Sequence, residues 1–111
     1  MPTPQTLDRT LTALADPTGR AILQRLSSGE ARVTDVAQPF NMSLNAVSKH
    51  ILVLERAKLV KRRKVGRDHY LSYRPEPLDA AAKWIAETRT FWASRLDALE
   101  QLLRDEDAAN R

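Results

Sequence analysis

The 111-residue chain contains no cysteine, only three glycines and two histidines, and 5% aromatic residues. The lack of cysteine excludes disulfides, thiolate metal sites and thiol redox switching. The two histidines, His50 and His69, do not make a zinc-type ligand set by themselves. No apolar run approaches the roughly 20 residues that span a bilayer, so no membrane partner is expected. The opening MPTPQTLDRT lacks the basic start and apolar stretch of a signal peptide, and a cytoplasmic protein is the expectation. No Gly-rich phosphate loop and no nucleophile with a base and an orienting group can be picked out, which argues against an enzyme. What is present is 42% apolar and 29% charged residues, enough for one folded domain over residues 1–111.

The charge is unevenly spread. Between Ser43 and Arg74 there are nine basic residues against two acidic ones, Glu55 and Asp68. That stretch therefore carries a surplus of seven, while the net charge of the whole chain is +4. A cationic block on an otherwise mildly acidic chain points to a polyanionic partner, although a solvated basic face has the same composition.

Periodicity supplies the elements. Leu7, Leu11 and Leu14 predict an amphipathic helix over 5–15. Asp16 then caps a second helix with Pro17 at its first position, carrying Ala21, Ile22, Leu23 and Leu26 and ending at Ser27-Ser28-Gly29. Gly19, early in that helix, should cost about 1 kcal/mol relative to alanine. Residues 31–33 suggest a short strand. Thr34 is expected to cap a third helix, with Asp35 just inside it, Val36, Ala37 and Phe40 toward the core, and Pro39 keeping it short. Ser43 caps the next helix, in which Leu44, Val47, Ile51 and Leu54 form one apolar stripe. Asn45, Ser48, Lys49, Leu52 and Arg56 occupy its other face. A short helix, a tight turn and a helix with one dry stripe and one small-polar and cationic face form a helix-turn-helix pattern over about 34–57. LVKRRKV, Gly66-Arg67 and DHYLSY then predict a hairpin over about 59–74, with Val65, Leu71 and Tyr73 inward and Arg62, Lys64, Arg67 and Tyr70 outward. A hairpin with this much positive charge suits phosphates or a minor groove. Finally, a helix over about 78–103, roughly 40 Å long, carries Leu78, Ala82, Ile85, Trp92, Leu96, Leu99 and Leu103 as a seam, widened by Trp84 and Phe91. An amphipathic helix of this length usually packs on a partner. DEDAANR reads as a frayed polar tail.

The order of elements resembles the ArsR/SmtB family of bacterial winged-helix repressors from about Leu7 to Leu103. The stretches that carry the resemblance are LADPTGRAIL, QPFNMSLNAVSKHILVLERAKLV and the Gly66-Arg67 wing tip. PEPLDAAAKWI and FWASRLDALEQLL look like one metal-free subgroup of that family. The resemblance implies a mainly α (α+β) winged helix-turn-helix fold, with a small β-hairpin wing and a long C-terminal dimerisation helix. It also implies a homodimer built by the first and last helices, with two recognition helices entering successive major grooves of an inverted repeat, about 34–36 Å apart, and release by an effector. Leu7, Leu11, Leu78, Ile85, Trp92, Leu96 and Leu99 are the expected dimer contacts. Lys58 stands where the family commonly has glycine, so a left-handed residue is expected there.

The expected contacts to double-stranded DNA are Ser43, Asn45, Ser48, Lys49, His50, Arg62, Lys64 and Arg67. Asparagine can pair bidentately with adenine, serine is less selective, and lysine most often meets phosphate. Ser43 also has a capping role, and His50, between stripe and open face, is equally well placed as a packed, hydrogen-bonded residue. The Trp84, Phe91 and Trp92 cluster reads as dimer core, with a ligand pocket as the alternative. No cofactor and no metal are expected: the family's metal sensors use cysteines, or carboxylates with histidines on the last helix, and here that helix has Asp79, Glu87, Asp97 and Glu100 without histidine. A sequence-specific regulator, a nonspecific architectural DNA binder and a module that meets an acidic protein all share these features. They differ in specificity ratio.

Overall fold

The computed structural model describes residues 3–110. Helix α1 spans Pro4–Ala15, and the Thr3 hydroxyl caps it by accepting from the Thr6 N–H at 3.1 Å. Thr10 is fully buried; its hydroxyl donates to the Thr6 carbonyl at 3.0 Å and so carries no unmet polar group inward. Asp16 has extended backbone angles and stands between two helices. Its Oδ1 accepts from the Thr18 N–H at 3.2 Å and starts α2, Pro17–Leu26, with Pro17 where no N–H is needed. Gly19 lets the two helices close up, since a Cβ there would lie 2.9 Å from the Ala13 carbonyl oxygen. Arg20 reaches back to the Leu14 carbonyl at 2.7 Å and satisfies an orphan acceptor at the end of α1.

Strand β1 is only Ala31–Arg32, and α3, Val33–Ala37, follows without a break. The expected cap at Thr34 is therefore two residues too late: Arg32 is the N-cap, with no side-chain cap bond, and Thr34 lies inside the helix. Helix α4, Leu44–Arg56, begins at Ser43, whose hydroxyl accepts from the Ala46 N–H at 3.1 Å. It ends with Lys58 at φ 60°, the Lys58 N–H bonded to the Glu55 carbonyl and the Leu59 N–H to the Leu54 carbonyl, both at 3.0 Å. That pair of bonds is a Schellman cap with lysine in the left-handed position.

Strands β2, Val60–Val65, and β3, Asp68–Tyr73, form an antiparallel hairpin, and β1 pairs with the far edge of β3 in the order β1-β3-β2. Gly66 takes φ 61° and Arg67 does not have positive φ, the pattern of a II′ turn. Register decides the faces. Val60 opposes Tyr73, Arg62 opposes Leu71, and Lys64 opposes His69, so these six share the face that holds the buried Val60 and Leu71. Val65, expected inward, opposes Asp68 on the other face and is 49% exposed. Arg62 and Lys64, expected outward, lie on the inner face instead.

The core joins Ala13, Ile22, Leu23, Leu26, Val36, Val47, Ile51, Leu54, Leu59 and Leu71, with Phe40 and Tyr73 packed against it. Burying side chains such as Ile51 and Leu54 contributes about 1.5–3 kcal/mol each. Leu44, expected in the stripe, is 51% exposed. It occupies the first helical position, ahead of the turn that meets the core. Helix α5 runs Glu76–Ala109, longer than expected at both ends, and the DEDAA segment is helical. Within the tail, Gln101 donates to Asp105 at 3.0 Å.

The chain divides into two compact units, one ending at Ala81 and one beginning at Ala82. Leu78 belongs to the first and packs against its core, so it is not part of an open seam as expected. In the second unit, Ile85, Trp92, Leu96, Leu99 and Leu103 are all more than half exposed. With Ala82 they repeat every three to four residues along one face, which Arg89 interrupts. Phe91 and Trp92 meet edge to face with ring centroids 5.9 Å apart.

Candidate nucleic-acid interface

Helix α4 has two unlike sides because its buried positions are spaced for one. Val47, Ile51 and Leu54 are fully buried, which leaves Asn45, Lys49, Leu52 and Arg56 exposed and Ser48 half-buried. Capping by Ser43 fixes where the helix begins, so Asn45 and Ser48 lie within its first two turns.

His50 is held within the fold. Its Nδ1 meets Asp16 Oδ2, across 34 residues of sequence, while the other oxygen of the same carboxylate caps α2. One side chain thus ties the start of α2 to the middle of α4. Asp16 was legible as a cap; its second role was not, since no local spacing encodes a contact of that sequence separation.

The wing's cations are divided. Arg62 donates from Nη2 and Nε to Glu55 Oε1 at 2.6 and 3.2 Å, tying the hairpin to the last turn of α4. Its Nη1 lies 3.2 Å from His69 Nδ1. A guanidinium only donates, so Nδ1 is the accepting atom of this contact. On the opposite face Arg63 bonds Glu30 at 2.6 Å and stacks over Tyr70 at 5.0 Å. Its charge holds the Glu30 carboxyl below the usual range, chiefly through that hydrogen bond. Among the described residues, Lys49, Lys64 and Arg67 have no ion-pair partner. Ser43, Asn45, Lys49, Lys64 and Arg67 are exposed, whereas Arg62 and His50 are half-buried and internally partnered. Glu55, Asp16 and Glu30, which decide which cations remain available, were not singled out as site residues.

A short helix, a turn, a capped helix with a polar outer side, and a cationic hairpin beside it define a winged helix-turn-helix protein. A family profile described as a helix-turn-helix domain matches residues 14–63. The chain is 36% identical over 106 residues to the HTH-type transcriptional regulator Rv2034 of Mycobacterium tuberculosis, covering 96% of each. It resembles the crystal structure of the ArsR family transcriptional regulator RHA00566 with a TM-score of 0.79 and 41% identity, over 83% of this chain and 95% of that one. It also resembles the solution structure of a homodimeric winged helix-turn-helix DNA-binding domain, Mb0332 from Mycobacterium bovis, with a TM-score of 0.60 and 25% identity, over 83% and 82% of the two chains. The chain belongs to the ArsR/SmtB family of winged helix-turn-helix transcriptional regulators, which are not enzymes. No helix among the described residues is long and apolar enough to cross a membrane.

Proposed function

We propose that the protein is a homodimeric, sequence-specific repressor that binds an inverted-repeat operator in the cytoplasm. The observation that carries this reading is the two-sided α4: a fully buried stripe of Val47, Ile51 and Leu54 beneath an open face with Asn45 and Lys49. In this reading α4 enters the major groove, where Asn45 meets base edges. Ser43, Ser48, Lys49, Lys64 and Arg67 contact the duplex, mostly at phosphates. His50 acts through its bond to Asp16 and sets the position of α4. Arg62 braces the wing through Glu55.

The dimer is supported by the exposed apolar seam of α5, where Ile85, Trp92, Leu96 and Leu99 have no cover within their own unit. The homodimeric state of the Mycobacterium bovis relative supports it too. Leu7 and Leu11 of α1, half-buried and exposed respectively, are further dimer contacts in this reading. The chain has no cysteine and no histidine on α5, which favours a regulator that responds to something other than a metal.

Fluorescence anisotropy against DNA from upstream of its own gene, with scrambled DNA as control at two salt concentrations, tests this reading. Binding to the upstream duplex at least ~10³-fold tighter, and weakened by salt, is expected. Equal, salt-sensitive binding to both duplexes would favour a nonspecific architectural protein. No binding to either would favour a module that meets an acidic protein.

A further inference from the structure

Between β1 and α3 on one side, α4 in the middle and the wing on the other lies an open cleft of about 250 Å³. Arg32, Arg62, Arg67, Thr34 and Ser48 line it together with a single carboxylate, Asp68. Three arginines and two hydroxyl-bearing residues therefore border one space. Arg62 is committed to Glu55 at 2.6 Å, which leaves Arg67, without an ion-pair partner among the described residues, and Arg32, held only by exposed pairs, to meet a ligand. Arg32 contacts Asp35 at 3.2 Å and Asp68 at 4.0 Å, with all three side chains about half exposed. Exposed pairs of this kind contribute little, so a singly charged phosphodiester that offers two anionic oxygens to a guanidinium fork can compete with them.

We infer that this cleft seats one phosphate of the DNA backbone in each half-site. Arg32 and Arg67 grip it from opposite walls, and the Thr34 and Ser48 hydroxyls donate to its oxygens. The inference rests on the DNA-binding reading above and adds to it: Arg32 and Thr34 become contact residues, and Ser48 serves the backbone and not a base edge. The seat is shared by α4 and the wing tip, so one phosphate fixes both at once. Asp35, at 3.2 Å against 4.0 Å for Asp68, is the nearer internal competitor for Arg32. Its removal should tighten binding.

The test uses the full-length protein and its upstream duplex, with single neutral methylphosphonates introduced at successive backbone positions. At one position per half-site the substitution should weaken wild-type binding about tenfold, as loss of a charge-assisted contact does. The slope of log K against log salt should become shallower by about 0.9. Arg32→Gln should weaken binding to unmodified DNA by a similar factor and be indifferent to the methylphosphonate at that same position. Asp35→Asn, which leaves Arg32 in place, should bind more tightly than wild type. Equal thermal melts of these variants keep the comparison to binding. If Arg32→Gln keeps the wild-type affinity, slope and sensitivity at every position, the seat is overturned while the DNA-binding reading stands. If inorganic phosphate competes with DNA far beyond chloride at matched ionic strength, the cleft is a free-anion site and the backbone assignment falls. Absence of any wild-type DNA binding would overturn both readings together.

Discussion

Replacing Gly19 by alanine should destabilise the protein, although the residue sits inside a helix. Helix propensity alone favours alanine by about 1 kcal/mol. The geometry opposes it: the added Cβ would lie 2.9 Å from the Ala13 carbonyl oxygen. That obstacle is backbone, so it cannot rotate away. Relief requires α1 and α2 to part by a few tenths of an ångström, and the joint is pinned on both sides. Ala13 is fully buried, Arg20 holds the Leu14 carbonyl at 2.7 Å, and Asp16 caps Thr18 at 3.2 Å. Overpacking of this kind costs about 1–3 kcal/mol, which exceeds or matches the propensity gain. A net loss of about 1 kcal/mol lowers the melting temperature by roughly 4 °C in a domain of this size. Circular dichroism melts at one fixed protomer concentration would measure it, since oligomerisation makes the midpoint concentration-dependent. A midpoint above that of the wild type would refute the close approach of the two helices.

Three other perturbations follow from named contacts. Lys58→Gly should raise stability by up to about 1 kcal/mol, because a left-handed backbone is disfavoured for residues with a Cβ; an unchanged or lower denaturation midpoint would count against it. Asp16→Ala and His50→Ala should each destabilise, and their double-mutant cycle should show coupling of about 1 kcal/mol; additivity would mean that the bond contributes nothing. Burial, then the Asp79 and Glu76 carboxylates, raise the Tyr73 hydroxyl above its ordinary pKa of 10.0. The fold thus favours the neutral phenol, and the stability this contributes is present below pH 10 and lost as pH rises further. Tyr73→Phe should be spared that part of the alkaline loss, and parallel wild-type and variant curves above pH 10 would argue against it.

Local chemistry made much of this fold legible. Asp16 and Ser43 are caps because a carboxylate or hydroxyl placed before a periodic run has orphan N–H groups to accept from. Lys58 could be expected in a left-handed cap because it stands where the resembled family commonly has glycine, and its φ is 60°. Gly66-Arg67 marked the hairpin because its first turn position needs positive φ. Features set by the pairing of distant segments were not legible. The strand was anchored on Val65 as an inward residue, but pairing fixes Val60 inward, and an odd separation of five puts Val65 on the opposite face. The same shift turned Arg62 and Lys64 inward. Thr34 has the chemistry of a cap, yet β1 pairing ends at Arg32 and the chain enters α3 at once. Leu44 fits the stripe by number but sits a turn too early to meet the core. At the site, exposed candidates such as Asn45 and Lys49 were legible from periodicity. The bonds that occupy His50 and Arg62 join residues 34 and seven positions apart and required the fold.

The most direct test of the central claim is selection of bound duplexes from a random-sequence library by the full-length protein. A dimer that places two copies of α4 in successive major grooves predicts an enriched inverted repeat, with half-site centres about 10–10.5 base pairs apart or a whole multiple of that spacing. Preference at one or more positions in each half-site should be lost with Asn45→Ala. Enrichment of no motif, or of a motif without dyad symmetry, would contradict the account.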